Sequence, residues 1–180
     1  TKLTYVKLAV PSVEAKQLSD FITLVRNNPG KLNYSSPGIA TPHHLAMELF
    51  KQTVGVDVTH IPYKGTAGAL TDLIAGQVQC TFTPVHTVLP YVQAGKLRIL
   101  GIASDKRVPW FPDIPTMAEE GINGVDSDGW AAFFVPVRTP ADIVKRLSEE
   151  TLAILAQPDF LETALRQGVD LVELFEAMPP

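Results

Sequence analysis

Three short stretches carry the residue types that could do chemistry. They are Ser36-Pro37-Gly38 followed by Thr41-Pro42, Gly65-Thr66-Ala67-Gly68, and Thr83-Pro84. Each combines hydroxyls with glycine or proline just before a helical pattern, and each follows a short apolar run. A strand that ends in such a turn and opens a helix aims unpaired backbone N–H groups, with the positive end of the helix dipole, at one point in space. That point attracts an anion, most simply a carboxylate. The same residues also cap helices with no ligand present, so the pattern alone leaves capping and anion binding both open.

Other reactive residues do not assemble into known catalytic patterns. His43 and His44 are adjacent, so on a helix they point about 100° apart and cannot share one metal ion. No H-E-x-x-H string or cysteine cluster completes a metal site. Tyr63-Lys64-Gly65-Thr66 lacks the spacing of a phosphate loop, and no G-x-S-x-G elbow occurs. Cys80 is the single cysteine and lies inside an apolar run, as a buried small hydrophobe would. Helical or surface solvation accounts for Glu48, Asp57 and Asp72. Cradles without a nucleophile or an acid–base pair describe a binding protein better than an enzyme, with no metal or other cofactor.

Composition narrows the partners. The 180 residues are 46% hydrophobic and 19% charged, as in a folded globular chain, with a formal net charge of -4. Lys and Arg are scattered and form no basic stripe, which argues against nucleic acid. An acidic chain can still hold an acidic ligand when backbone dipoles supply the positive field. No run of 18 apolar residues is present, so no membrane-spanning helix is expected. The start, Thr1-Lys2-Leu3-Thr4-Tyr5, passes straight into a strand pattern and reads as the middle of a domain, so a processed or cut chain is expected.

The elements that must position the three turns follow in order. Strands are predicted at Tyr5–Val10, Leu32–Tyr34, Asp57–Lys64, Val78–Phe82 and Leu97–Ala103. Helices are predicted at Val13–Asn28, from Pro42 through Leu45, Leu49 and Phe50, at Ala69–Ile74 and at His86–Ala94. The nearly all-apolar Leu97–Ala103 is typical of a strand buried on both faces, hence an α/β fold with a mostly parallel sheet flanked by helices. In such a sheet the strand ends line the ligand crevice. Thr116 opens a short predicted helix, Trp130–Val135 a strand, Thr139-Pro140 a long helix to about Leu155, and Pro158 a last helix ending near Gly168. The strands Tyr5–Val10 and Trp130–Val135 bracket this body. They read either as two crossovers between lobes or as members of one sheet.

Several strings together resemble the solute-binding proteins of tripartite tricarboxylate transporters, the Bug family of extracytoplasmic receptors. They are N-P-G-K-L-N-Y (Asn28 to Tyr34), S-P-G-x-x-T-x-x-H-L-A-x-E-L-F (Ser36 to Phe50), G-V-D (Gly55 to Asp57), H-I-P-Y-K-G (His60 to Gly65) and A-L-T-D-L-I-A-G-Q-V (Ala69 to Val78). A-G-K-L-R (Ala94 to Arg98), P-D-I-P-T-M-A-E-E-G (Pro112 to Gly121) and P-V-R-T-P (Pro136 to Pro140) continue the match. The resemblance implies a two-lobed periplasmic binding protein of the second structural type that holds a small mono- or dicarboxylate in its cleft and delivers it to membrane transporter subunits. It implies a crossover strand at 1–10, the second lobe at 11–129, and a return to the first lobe at 130–180. A sensor lobe of a transcription regulator would share this architecture.

Position by position, the resemblance implies ligand contacts from Ser36, Gly38, Ala40 and Thr41 at the first turn. Tyr63, Lys64, Gly65 and Thr66 serve the second, and Phe82 with Thr83 the third. His44 matches the family histidine, with helix packing or capping as its plainer role. The chain departs from the family pattern at Ile39-Ala40, where Asn-Gly is usual, and at Gly68, where proline is usual. Alanine at position 40 is not expected to take positive φ freely. After Gly168 the tail departs from the expected strand and helix.

Overall fold

The computed structural model describes residues 2–9, 13–104, 106–109, 111–125, 128–130 and 134–166. By its contacts the chain divides into two compact units, one of residues 4–128 and the other of residues 1–3 with 129–180.

The larger unit is built on a mixed sheet with strand order β3-β2-β4-β1-β5. The strands are β1 (Lys2–Ala9), β2 (Asn33–Ser36), β3 (Thr59–Pro62), β4 (Cys80–Pro84) and β5 (Arg98–Ala103). Strand β2 is parallel to both β3 and β4. Strand β1 lies between β4 and β5 and is antiparallel to both, so β4 and β5 point the same way. Among β1–β5 only β1 runs against the others, so the sheet is mostly parallel as expected, with one reversed strand in its middle. Apolar β5 reports burial on both faces, and burial does not encode strand direction.

Helices alternate with the strands. Helix α1 (Leu18–Asn27) opens where Asp20 accepts hydrogen bonds from the amides of Lys16 and Gln17, and it buries Leu18, Phe21 and Val25. Helix α2 (Pro42–Val54) starts with proline at its first turn and stops at Gly55, which takes the left-handed conformation at φ 65°. Its buried face is Ala46, Met47 and Phe50, whereas Leu45 and Leu49 face out. Phe50 meets Phe82 of β4 at 5.9 Å between ring centroids, and fully burying such a ring stabilises by about 1.5–3 kcal/mol. Helices α3 (Thr66–Ile74) and α4 (Val85–Gln93) follow β3 and β4. Tyr34, Phe21, Phe50, Phe82 and Leu73 are among the fully buried side chains of this core.

Thr116 bridges Ile102 of β5, and its amide and hydroxyl exchange hydrogen bonds with Glu119. The predicted helix there is a turn instead, closed by Gly121 at φ 80°. Beyond it the described elements include β6 (Asp128–Trp130), α5 (Ala141–Leu155) and α6 (Pro158–Arg166). Of the predicted strand Trp130–Val135, residues 131–133 lie outside the described residues, and Phe134 and Val135 are not in a strand. The long helix begins at Ala141 with Pro140 as its cap residue. Its described side chains include none that is buried, and Ile143, Val144 and Leu147 are exposed. The tail after Gly168 lies outside the described residues.

Candidate functional site

Strands β3, β2 and β4 are neighbours and run the same way, so their C-terminal ends fall at one edge of the sheet. Each leads into a helix there, and this arrangement is the crevice geometry of open α/β sheets. Two of the three turns are joined directly. The amide of Tyr63 donates to Ser36 O at 2.9 Å, and the amide of Gly65 donates to Pro37 O at 3.0 Å. The N-termini of α2 and α3 therefore sit beside one another.

The first turn is held mainly by side chains. Ser36 Oγ donates to Gly38 O at 2.9 Å and accepts from the Gly38 amide at 3.3 Å. Thr41 Oγ1 donates to the same carbonyl at 2.7 Å. Thr41 thus occupies the expected cap position, but its hydroxyl points back into the turn and does not cap α2. Ala40 adopts φ 60° and is the one positive-φ non-glycine among the described residues. Its amide donates to His44 Nδ1 at 3.1 Å. Alanine therefore does take the conformation expected to resist it, with a side-chain acceptor in place. Among the described residues the amides of Ile39 and Thr41 have no acceptor, leaving them for solvent or a ligand.

Behind this turn stands a stack of three rings. His44 lies 4.2 Å from His60, and His60 lies 4.7 Å from Tyr34, all nearly parallel. Parallel pairing puts Tyr34 opposite His60 on one face of the sheet. His60 Nε2 is 2.7 Å from Ser36 Oγ, tying the stack to the turn. Tyr34 donates its phenol to Glu48 Oε1 at 2.6 Å, and Lys51 Nζ donates to the same oxygen at 2.8 Å. Burial, then the Glu48 bond, pushes the Tyr34 phenol well above its usual range. Burial opposes ionisation of Glu48, but the bonds from Lys51 and Tyr34 outweigh it and hold the carboxyl below its usual range. Burial and then the charge of His44 lower His60. His43 faces a different environment, where burial lowers it to about 4. Among the described residues no three His, Cys, Asp or Glu side chains form a group able to hold a metal ion.

The second turn is plainer. Tyr63 gives its phenol to Asp72 Oδ2 at 2.6 Å, and burial followed by that bond pushes it up to about 12. Lys64 is exposed. Gly65 caps α3 at φ 132°, a conformation essentially reserved for glycine, and Thr66 begins the helix. Gly68, where a proline was the family expectation, has the Tyr63 ring 3.4 Å from where its Cβ would be.

The third turn differs from its prediction. Strand β4 runs on to Pro84, because Thr83 and Pro84 pair with Val6 and Tyr5 of β1, and α4 starts at once at Val85. Thr83 is a buried strand residue, and the Phe82 side chain lies in the core against Phe50. The structure thus joins the turns holding Ser36, Gly38, Ala40, Thr41 and those holding Tyr63, Lys64, Gly65, Thr66. Phe82 and Thr83 stand at the neighbouring strand end.

Over residues 1–176 the sequence matches the family described as the tripartite tricarboxylate transporter family receptor. The chain belongs to that family. It is 36% identical over 165 residues to a UPF0065 protein of Bordetella pertussis, an alignment covering 92% of this chain and 51% of that one. Among solved structures, Rhodopseudomonas palustris MatC (Rpa3494) with bound malate superposes with a TM-score of 0.92 at 28% identity, covering 99% of this chain and 61% of that one. R. palustris Rpa4515 with adipate gives 0.90 at 30% identity, covering 94% and 56%. The chain spans about half the length of the curated relatives it matches. These likenesses to periplasmic solute-binding structures bear out the α/β fold.

The ring stack was missed from sequence, although its signals were present. His44, Glu48 and Lys51 follow i, i+4, i+7 spacing on α2, one helix face. Tyr34 and Ser36 alternate along β2 and so share a sheet face. Only the pairing of β2 with β3 brings His60 to them, and strand register is not written in local spacing.

Proposed function

We propose that this chain is part of a periplasmic receptor that captures a small mono- or dicarboxylate and delivers it to a membrane transporter. The observation that carries the reading is the joining of the α2 and α3 N-termini by the Tyr63–Ser36 and Gly65–Pro37 hydrogen bonds. Two helix N-termini and the open amides near Ile39 and Thr41 are thereby brought to one edge of the sheet, with Lys64 of the second turn exposed beside them. In this reading Ser36, Gly38, Ala40 and Thr41 form the first cradle and Tyr63, Lys64, Gly65 and Thr66 the second. Phe82 and Thr83 shape the adjoining strand end. Residues 1–10 and 130–180 belong with the first lobe of the intact protein, and residues 11–129 form the second. Adipate and malate in the related structures support the ligand class, and the family description supports the transporter as partner. The reading assigns no catalytic residue and no cofactor.

The test is a thermal-shift screen of the intact protein against small acids that include malate and adipate. Ligand at 100 times its Kd stabilises a fold by about 2.7 kcal/mol, an easily measured rise in Tm. A rise with at least one acid, absent with the matching amide, is expected. No rise with any carboxylate at millimolar concentration would sink the reading.

A further inference from the structure

The turn before α2 holds an alanine in a conformation that alanine avoids, and one ring nitrogen faces its amide. Left-handed φ brings Cβ against the following carbonyl, so Ala40 at φ 60° needs an external hold. His44 Nδ1 supplies one by accepting the Ala40 N–H at 3.1 Å. A ring nitrogen accepts only when it carries no proton, and in an imidazolium both nitrogens are donors. The contact therefore exists only with a neutral His44.

We propose that His44 is a positioning residue for the first cradle: its unprotonated Nδ1 holds the Ala40 amide in the left-handed turn, and protonation of His44 releases it and weakens ligand binding. The proposal rests on the carboxylate reading above for its effect on affinity, though not for the hold itself.

The groups facing His44 set how it responds to acid. From β3 comes His60, stacked at 4.2 Å, and from β2 comes Tyr34 at 6.4 Å. From α2 itself come Glu48 and Lys51, joined at 2.8 Å. Glu48 and Lys51 are thus the charged groups beside the ring, and His60 is its titratable neighbour. With the Ser36 hydroxyl donating to Gly38 O, His60 Nε2 is the donor to Ser36 Oγ, and it stays a donor when His60 gains a proton, so the contact that acid breaks in this turn is the one at His44.

The test combines two readouts on the intact protein. In the absence of ligand, NMR follows the Ala40 amide proton between about pH 8 and about pH 5, the window in which imidazoles titrate. Its signal should follow the histidine titration in the wild type and already sit at the released position in His44→Leu. Calorimetry with malate and adipate then measures affinity. His44→Leu should bind about tenfold more weakly at about pH 8, the factor expected when one left-handed residue loses its support. His44→Asn places a non-titrating amide oxygen near the Nδ1 position, so it should keep most of the affinity and lose most of the acid-induced weakening. Titration of the acid itself is common to both proteins and cancels. Ala40→Gly should largely rescue His44→Leu, because glycine takes φ 60° unaided.

An Ala40 amide signal that is the same in the wild type and His44→Leu across the window would overturn the proposal. So would equal affinities of those two proteins for the acid. If neither acid binds at any pH, the functional reading above fails, and the amide signal still decides the role of His44.

Discussion

The turns before α2 and α3 share one strand-turn-helix pattern and sit side by side, yet they are held in opposite ways. The first relies on side chains, with Ser36, Thr41 and His44 all bonding turn backbone and Ala40 at φ 60°. The second relies on the absence of a side chain. Gly65 sits at φ 132° with nothing within 4 Å of where a Cβ would be, so freedom of the backbone and not lack of space is what glycine supplies there. A cradle wired by side chains can be tuned by substitution, whereas a cradle built on glycine is either formed or lost.

That contrast can be broken most severely at the second turn. Gly65→Ala adds a Cβ into open space but forces a conformation that costs about 1–3 kcal/mol. Urea unfolding should show a stability loss of this size, and the carboxylate-dependent rise in Tm should shrink. A variant as stable as the wild type would mean that the turn readily relaxes and that its φ is incidental.

The first turn should yield more gently. Thr41→Val removes one neutral hydrogen bond to Gly38 O, which still accepts from Ser36, so a loss of about 0.5–1.5 kcal/mol in ligand affinity is expected by calorimetry. A loss well above that range would indicate a direct bond from the hydroxyl to the charged ligand. Smallest of all should be Lys64→Met. The side chain is exposed, and a solvated ammonium contributes less than about 1 kcal/mol. A drop beyond about 3 kcal/mol on calorimetry would make Lys64 a desolvated counter-ion and overturn the dipole account.

Much of this arrangement was legible in the chain because it depends on local grammar. Thr41-Pro42 and Gly55 delimit α2, and the apolar runs mark the sheet strands. The second turn was expected at Gly65–Gly68 after a strand reaching Lys64, whereas β3 stops at Pro62 and α3 already begins at Thr66, so only Gly65 of that stretch precedes the helix. What escaped was set by partners distant in sequence. The direction of β1 depends on what lies either side of it. Strand β4 continues through Thr83 to Pro84 only because β1 supplies pairing there. The outward position of Leu45 and Leu49 follows from Ala46, Met47 and Phe50 packing on the sheet, a choice of helix face that apolar content alone left undecided. The conformation of Ala40 depends on His44 four residues on, within reach of local reasoning, but the stacking of that ring on His60 depends on the β2–β3 register.

The single cysteine gives the sheet a built-in clock. Cys80 opens β4, is fully buried, and sits between its neighbours with Sγ 3.9 Å from Asn33 O. A thiol reagent can reach that sulfur only after the packing around β4 opens. The rate of modification under native conditions therefore counts opening events of the packing around a strand whose end adjoins the candidate site. Because the chain has one sulfhydryl, every count refers to one place. If a bound acid holds the strand ends together, it should slow that clock in proportion to its occupancy, which makes ligand binding readable as a chemical rate in an unmutated, unlabelled protein.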